Sequence, residues 1–292
     1  MAKSSGINPE LLLSQKLPEK TFTYTERDAA IYALGVGACG RDAVDADELK
    51  YVYHENGQQF IQVLPTFSAL FSFELEPSGA IDLPGLQHDP RLLLHGQQYM
   101  ELYKPFPSSA SIRNEACIAG LHDKGKAAIL EIETKSYNAE SGELLCMNRM
   151  TAFLRGAGGF SNSSQPFSYS KYQTIPVSVV KIPKSQPFAV FEDYTQPSQA
   201  SLLYHLQALV YRLSGDYNPL HSDPMVAKAA GGDPNMVKNI FSRFLLHVYP
   251  GETLVTEMWL QGLRVIYQVK VKERNRSVLS GFVDVHRLAS SL

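Results

Sequence analysis

Residues 113–154, RNEACIAGLHDKGKAAILEIETKSYNAESGELLCMNRMTAFL, decide the fold class. Arg113 to His122 and Ala127 to Tyr137 are runs of strand-forming residues separated by the turn Asp123-Lys124-Gly125-Lys126, which predicts a hairpin. After a second turn at Ala139 to Gly142, a further strand runs from Glu143 to Leu154 and completes a three-stranded antiparallel meander. The same plan recurs near the other end of the chain. Glu252 to Leu260, Arg264 to Lys272 and Val278 to Val285 form three more predicted strands, separated by Gln261-Gly262 and Glu273 to Arg276. Val265, Tyr267, Val269 and Val271 alternate with Gln268, Lys270 and Lys272, which predicts a sheet with one buried and one wet face.

Helical sequence precedes each meander. Thr25-Glu26-Arg27-Asp28 reads as a capping box ahead of Ala29 to Leu34. Pro197-Ser198 opens a run from Gln199 to Leu213, in which Leu202, Leu206, Leu209, Val210 and Leu213 share one side and Gly215 supplies the stop. Two units of helix plus curved antiparallel sheet give an α+β fold. The natural boundary is the Gly/Ser/Pro-rich stretch that begins near Gly156. It divides the chain into residues 1–160, a linker over 161–187, and residues 188–292.

Composition excludes several classes of function. The 292 residues are 44% hydrophobic and 19% charged, and the formal net charge is -2 with the signs interspersed, so no basic face exists to track nucleic-acid phosphates. Cys39, Cys117 and Cys146 are far apart and lack a CxxC pairing, which argues against a disulfide framework or a zinc site. No stretch is apolar enough to span a bilayer, and the N-terminus lacks the long apolar run of a secretory signal.

Two motifs carry possible chemistry. Gly35-Val36-Gly37-Ala38-Cys39-Gly40 satisfies GxGxxG, but helical sequence precedes it and no βαβ unit follows, so a structural glycine turn is the better reading. The stretch Gly215-Asp216-Tyr217-Asn218-Pro219-Leu220-His221, followed by Asp223-Pro224, places a carboxylate, an amide and an imidazole on a proline-stiffened loop beyond a helix end. Asp216 and His221 could act as general acid and base on one water while Asn218 orients it. On spacing alone, an Asx-type turn bonding its own backbone accounts for the same residues.

That motif resembles the signature of the type 2, (3R)-specific enoyl-CoA hydratases. Tyr24 to Gly37 (YTERDAAIYALGVG), Leu64 to Phe67, Leu93 to Gln97 (LLHGQ), Asp123 to Gly125, Arg155 to Phe160 and Tyr249 to Trp259 (YPGETLVTEMW) are similar to the plant peroxisomal members. The resemblance implies a double hot-dog of the MaoC-like type, in which the N-terminal unit accommodates the acyl chain and the C-terminal unit carries the motif. It implies reversible hydration of trans-2-enoyl-CoA without cofactor or metal, with Asp216, Asn218 and His221 as catalytic residues. His95, Gly96, Lys124, Phe244 and the loop Asp216, Tyr217, Asn218, Pro219, Leu220 and His221 would touch the CoA ester. A homodimer and the peroxisome are implied too, and Ser290, Ser291 and Leu292 approximate the SKL-type address read by the import receptor.

Two departures from the family flank the motif. After Asp223 to Ala230 the family's second central helix, with its oxyanion-donating glycine, has no counterpart. Only Gly231 to Ile240 separate Ala230 from the next predicted strand at Phe241, and ten residues make at most ~15 Å of helix. Ser201 to Gln207 (SLLYHLQ) looks inserted beside the near-duplicate Leu209 to Leu213. The second hot-dog unit is therefore expected to lack its helix, to leave its concave face open and to lose turnover. Two alternatives follow, a non-catalytic acyl-CoA-binding or dimerising module and a hot-dog acyl-CoA thioesterase.

Overall fold

The computed structural model describes residues 6–40, 42–71, 81–161, 164–172, 180–194, 234–249 and 251–286. The predicted meanders are present, as β3 (Ala110–Asp123), β4 (Ala127–Asn138) and β5 (Leu144–Arg155), and as β9 (Thr253–Gln261), β10 (Arg264–Val271) and β11 (Arg276–Val285). To these the structure adds β1 (Lys20–Tyr24), β2 (Leu93–Leu102), β6 (Ser168–Ser170), β7 (Ala189–Tyr194) and β8 (Val237–Phe244). All pairings are antiparallel, and the strands join into one 11-stranded sheet of order β1-β3-β4-β5-β2-β8-β11-β10-β9-β7, with β6 paired to β3.

That order contains an internal repeat. Each half follows the order first, third, fourth, fifth, second (β1-β3-β4-β5-β2 and β7-β9-β10-β11-β8), and the halves meet through their second strands, β2 and β8. This is the double hot-dog. In the first half the sheet packs on α2 (Glu26–Gly35), flanked in sequence by the short helices α1 (Pro9–Leu13) and α3 (Ala46–Leu49). The Asp28 carboxylate closes the predicted capping box by accepting the Thr25 backbone N–H at 2.8 Å. Ala29, Ala30 and Tyr32 of α2 join a buried cluster with Phe67, Met100, Ile112 and Cys146. The GxGxxG stretch is the turn that ends α2: Gly37 and Cys39 have φ of 100° and 60°, and the Ala38 N–H returns to the Ala33 carbonyl at 2.9 Å. All three cysteines are free thiols, and no helix among the described residues is long and apolar enough to cross a membrane.

Three expectations about the second half need correction. Its first strand after the motif starts at Val237, not Phe241, because Val237 to Ile240 pair with β11 and part of that run also pairs with β2. A three-residue 3-10 turn, Pro234–Met236, precedes it, so no α-helix occupies residues 234–240. The concave face is nevertheless covered, since Val265, Tyr267, Val283 and Val285 are buried in one cluster with Met236, Val237, Ile240 and Met258. Nor is the opposite face wet throughout. Near the seam Phe241, Trp259, Ile266 and Phe282 form a further buried cluster under Val180 and Ile182, because the chain between the halves lies across them. The Trp259 indole N–H donates to the Ser185 carbonyl at 2.8 Å. The predicted helix from Gln199 to Leu213 lies outside the described residues.

Gly281 shows how tightly the second sheet is built. The Tyr267 hydroxyl donates across it to the Phe241 carbonyl at 3.0 Å and bonds Ser242 Oγ at 2.6 Å. A Cβ at Gly281 would overlap both that carbonyl and the phenol. Gly281→Ala is therefore expected to lower stability by about 2–3 kcal/mol, as overpacking of a filled core does. Urea unfolding followed by Trp259, the chain's single tryptophan, measures this directly.

Candidate active site

The structure brings three of the predicted ligand-binding residues together where the two halves meet. His95 and Gly96 lie near the start of β2, Phe244 ends β8, and the His95 and Phe244 rings stand 4.9 Å apart between centroids. Gly96 is the extra residue of a β-bulge: His95 faces Ala152 and Gln97 faces Thr151 on β5, with the register shifting between them. Glycine suits that position, because an added Cβ would lie 3.3 Å from the Thr151 carbonyl oxygen. The His95 ring is held through Nε2, which lies 3.1 Å from both the Gln97 carbonyl oxygen and Gln98 Oε1.

Lys124 sits at the exposed tip of the β3–β4 hairpin, beyond the same end of the sheet as the start of β2. Its turn is fixed by the residue before it. The Asp123 carboxylate accepts N–H groups from Gly125, Gly159 and Ser161 at 2.8, 2.9 and 2.8 Å, and the Ser161 hydroxyl at 2.6 Å. The glycine-rich run after β5 thus wraps around the turn that carries the lysine. Burial alone would raise the Asp123 pKa, but these four donors outweigh it and hold the carboxyl at about 2.

Because that value is depressed, Asp123 contributes stability in full above the ordinary carboxylate pKa, and this is lost as pH falls through about 2. Asp123→Asn is expected to be less stable than the parent near neutral pH, with the difference shrinking between about pH 4 and pH 2. Urea midpoints measured across that range check it. A constant difference would mean that the carboxylate charge does not hold the turn.

Asp216, Tyr217, Asn218, Pro219, Leu220 and His221 lie outside the described residues, as do Ser290, Ser291 and Leu292. Three buried residues that sequence reasoning missed stand behind His95. Gln98 Nε2 donates to Asn148 Oδ1 at 3.3 Å, Asn148 Nδ2 donates to the Ser68 carbonyl at 2.9 Å, and all three residues are buried. The available signal was the sequence HGQQ, where polar residues fall on successive positions of an otherwise apolar strand.

Comparison with known proteins places the chain in a family. The family model described as the MFE-2 hydratase 2 N-terminal domain matches residues 22–156. The chain is 60% identical to the peroxisomal enoyl-CoA hydratase 2 of Arabidopsis thaliana, over 99% of this chain and 98% of that protein. That alignment runs over 313 positions, more than the 292 residues present here, so part of the Arabidopsis protein has no counterpart in this chain. It is 36% identical to the mouse peroxisomal multifunctional enzyme type 2, over 94% of this chain and 38% of the larger protein. Among solved structures, a MaoC-like dehydratase from Phytophthora capsici superposes with a TM-score of 0.73 at 27% identity, covering 97% of this chain and all of that one. Near-complete coverage at this identity leaves one conclusion: the chain belongs to the peroxisomal enoyl-CoA hydratase 2 family.

Proposed function

We propose that this chain is a peroxisomal hydro-lyase of fatty-acid β-oxidation, adding water reversibly across trans-2-enoyl-CoA to give (3R)-3-hydroxyacyl-CoA. The observation that carries this reading is the 60% identity over essentially the whole chain to a peroxisomal enoyl-CoA hydratase 2. Asp216 and His221 hold and activate the water, and Asn218 orients it. The oxygen adds to C3, and one of the two acid–base groups returns a proton to C2. The thioester oxygen gains charge on the way, so backbone N–H donors near the loop would stabilise it. His95, Gly96, Phe244 and Lys124 contact the CoA ester together with the loop from Asp216 to His221. Residues 1–160 accommodate the acyl chain and residues 188–292 carry the motif. The chain pairs as a homodimer, and Ser290-Ser291-Leu292 addresses it to the import receptor.

One observation favours a second reading, in which the chain binds acyl-CoA without turning it over. The strand after the motif already begins at Val237, preceded by a three-residue turn, which leaves still less chain for a helix between Ala230 and the sheet. Calorimetric titration with decanoyl-CoA, combined with a turnover assay on trans-2-decenoyl-CoA and a thiol assay for free CoA, separates the three possibilities. Binding with hydration supports the lyase, binding alone supports the module, and release of free CoA would indicate a thioesterase.

A further inference from the structure

We propose that Gln98 is a positioning residue for His95, the active end of a buried relay that starts at a backbone carbonyl and fixes which imidazole nitrogen carries the proton. The proposal rests on the reading that His95 touches the acyl-CoA ester.

The relay depends on the bulge. In a regular strand, residues three apart point to opposite faces, so His95 and Gln98 could not meet. The extra residue Gly96 reverses that parity. His95 lies opposite Ala152 and Gln98 opposite Met150, two positions apart on β5, so both side chains stand on the same face. His95 is half-buried, whereas Gln98 and Asn148 are 7% and 1% exposed. The relay therefore runs from the core to the edge of the site.

Its polarity follows from its anchor. The Ser68 carbonyl can only accept, so the Asn148 atom 2.9 Å from it is the amide nitrogen. Asn148 Oδ1 then faces Gln98, which must present its own nitrogen at 3.3 Å and its oxygen to His95. Gln98 Oε1 in turn requires a proton on His95 Nε2, 3.1 Å away, and the Gln97 carbonyl at the same distance requires the same proton independently. Two acceptors on one nitrogen select the Nε2–H tautomer and hold the ring plane. Nδ1 is then the ring's acceptor atom when the imidazole is neutral.

The test uses the whole chain. Long-range 15N–1H spectra of the imidazoles, with His95→Gln to assign the resonance, are expected to show neutral His95 as the Nε2–H form with a slowly exchanging proton. Gln98→Met keeps the side-chain volume and removes the acceptor. It is expected to leave the Gln97 carbonyl holding the Nε2 proton without Gln98, so that this proton exchanges faster and a minor Nδ1–H population emerges, and to weaken decanoyl-CoA binding about tenfold, the loss of roughly one hydrogen bond. Circular dichroism and Trp259 emission confirm that the variant folds. If it does not, Gln98→Leu, which also removes the acceptor, carries the same expectation. An Nδ1–H form in the parent, or an unchanged His95 resonance in a folded variant, would overturn the relay. Weaker binding in both His95→Gln and Gln98→Met supports the whole proposal. A tautomer shift with affinity unchanged in both variants would overturn the placement of His95 at the ligand while leaving the relay intact.

Discussion

Arg149→Ala is expected to destabilise the chain by about 3–5 kcal/mol, the cost of stranding a buried carboxylate. Arg149 on β5 and Glu133 on β4 face each other in register, and their side chains meet at 2.6 Å with exposures of only 7% and 2%. The other Glu133 oxygen accepts the Tyr172 hydroxyl, and the guanidinium lies 4.4 Å from the Tyr172 ring centroid. Removing the arginine leaves Glu133 with one neutral donor, the Tyr172 hydroxyl, and takes the guanidinium away from the Tyr172 ring. Replacing both partners at once, as Glu133→Leu with Arg149→Met, is expected to recover most of the loss, since no charge is then left unpaired. Urea unfolding of the two variants decides the point. A single variant within about 0.5 kcal/mol of the parent would show that water reaches Glu133.

Asp216→Ala and His221→Ala are each expected to lower hydration by roughly 10²–10⁴-fold, the usual contribution of a positioned acid or base. Acyl-CoA affinity is expected to change far less. On the proposal that the two residues act on one water, the double variant should be little worse than either single one. Comparable loss of binding and turnover would instead assign Asp216 and His221 to substrate contact, and multiplicative losses would mean that they act at separate steps.

The meanders and the first helix were legible because their signals are local. Alternation along Arg264 to Lys272 and the Asp-Lys-Gly turn fix strands and register without reference to distant residues. The seam was not, because β2 and β8 pair across more than a hundred residues of chain, and nothing in Leu93 to Leu102 names Val237 to Phe244 as its partner. The start of β8 was misplaced for a related reason: Val237 to Ile240 follow a glycine- and proline-bearing stretch, and only their pairing with β11 makes them a strand. The wet outer face of the second sheet was a reasonable inference from Gln268 and Lys270, but it missed that the connecting segment lies over Trp259 and Ile266. His95 and Gly96 were reached through family resemblance alone. Their local logic, a bulge that turns His95 toward Gln98 and Asn148, exists only once the strand is paired.

The most direct test of the central claim is incubation of the purified chain with trans-2-decenoyl-CoA, followed by chiral analysis of the 3-hydroxy product. The expected result is (3R)-3-hydroxydecanoyl-CoA with the thioester intact. A (3S) product, release of free CoA, or no hydration by a folded chain would contradict it.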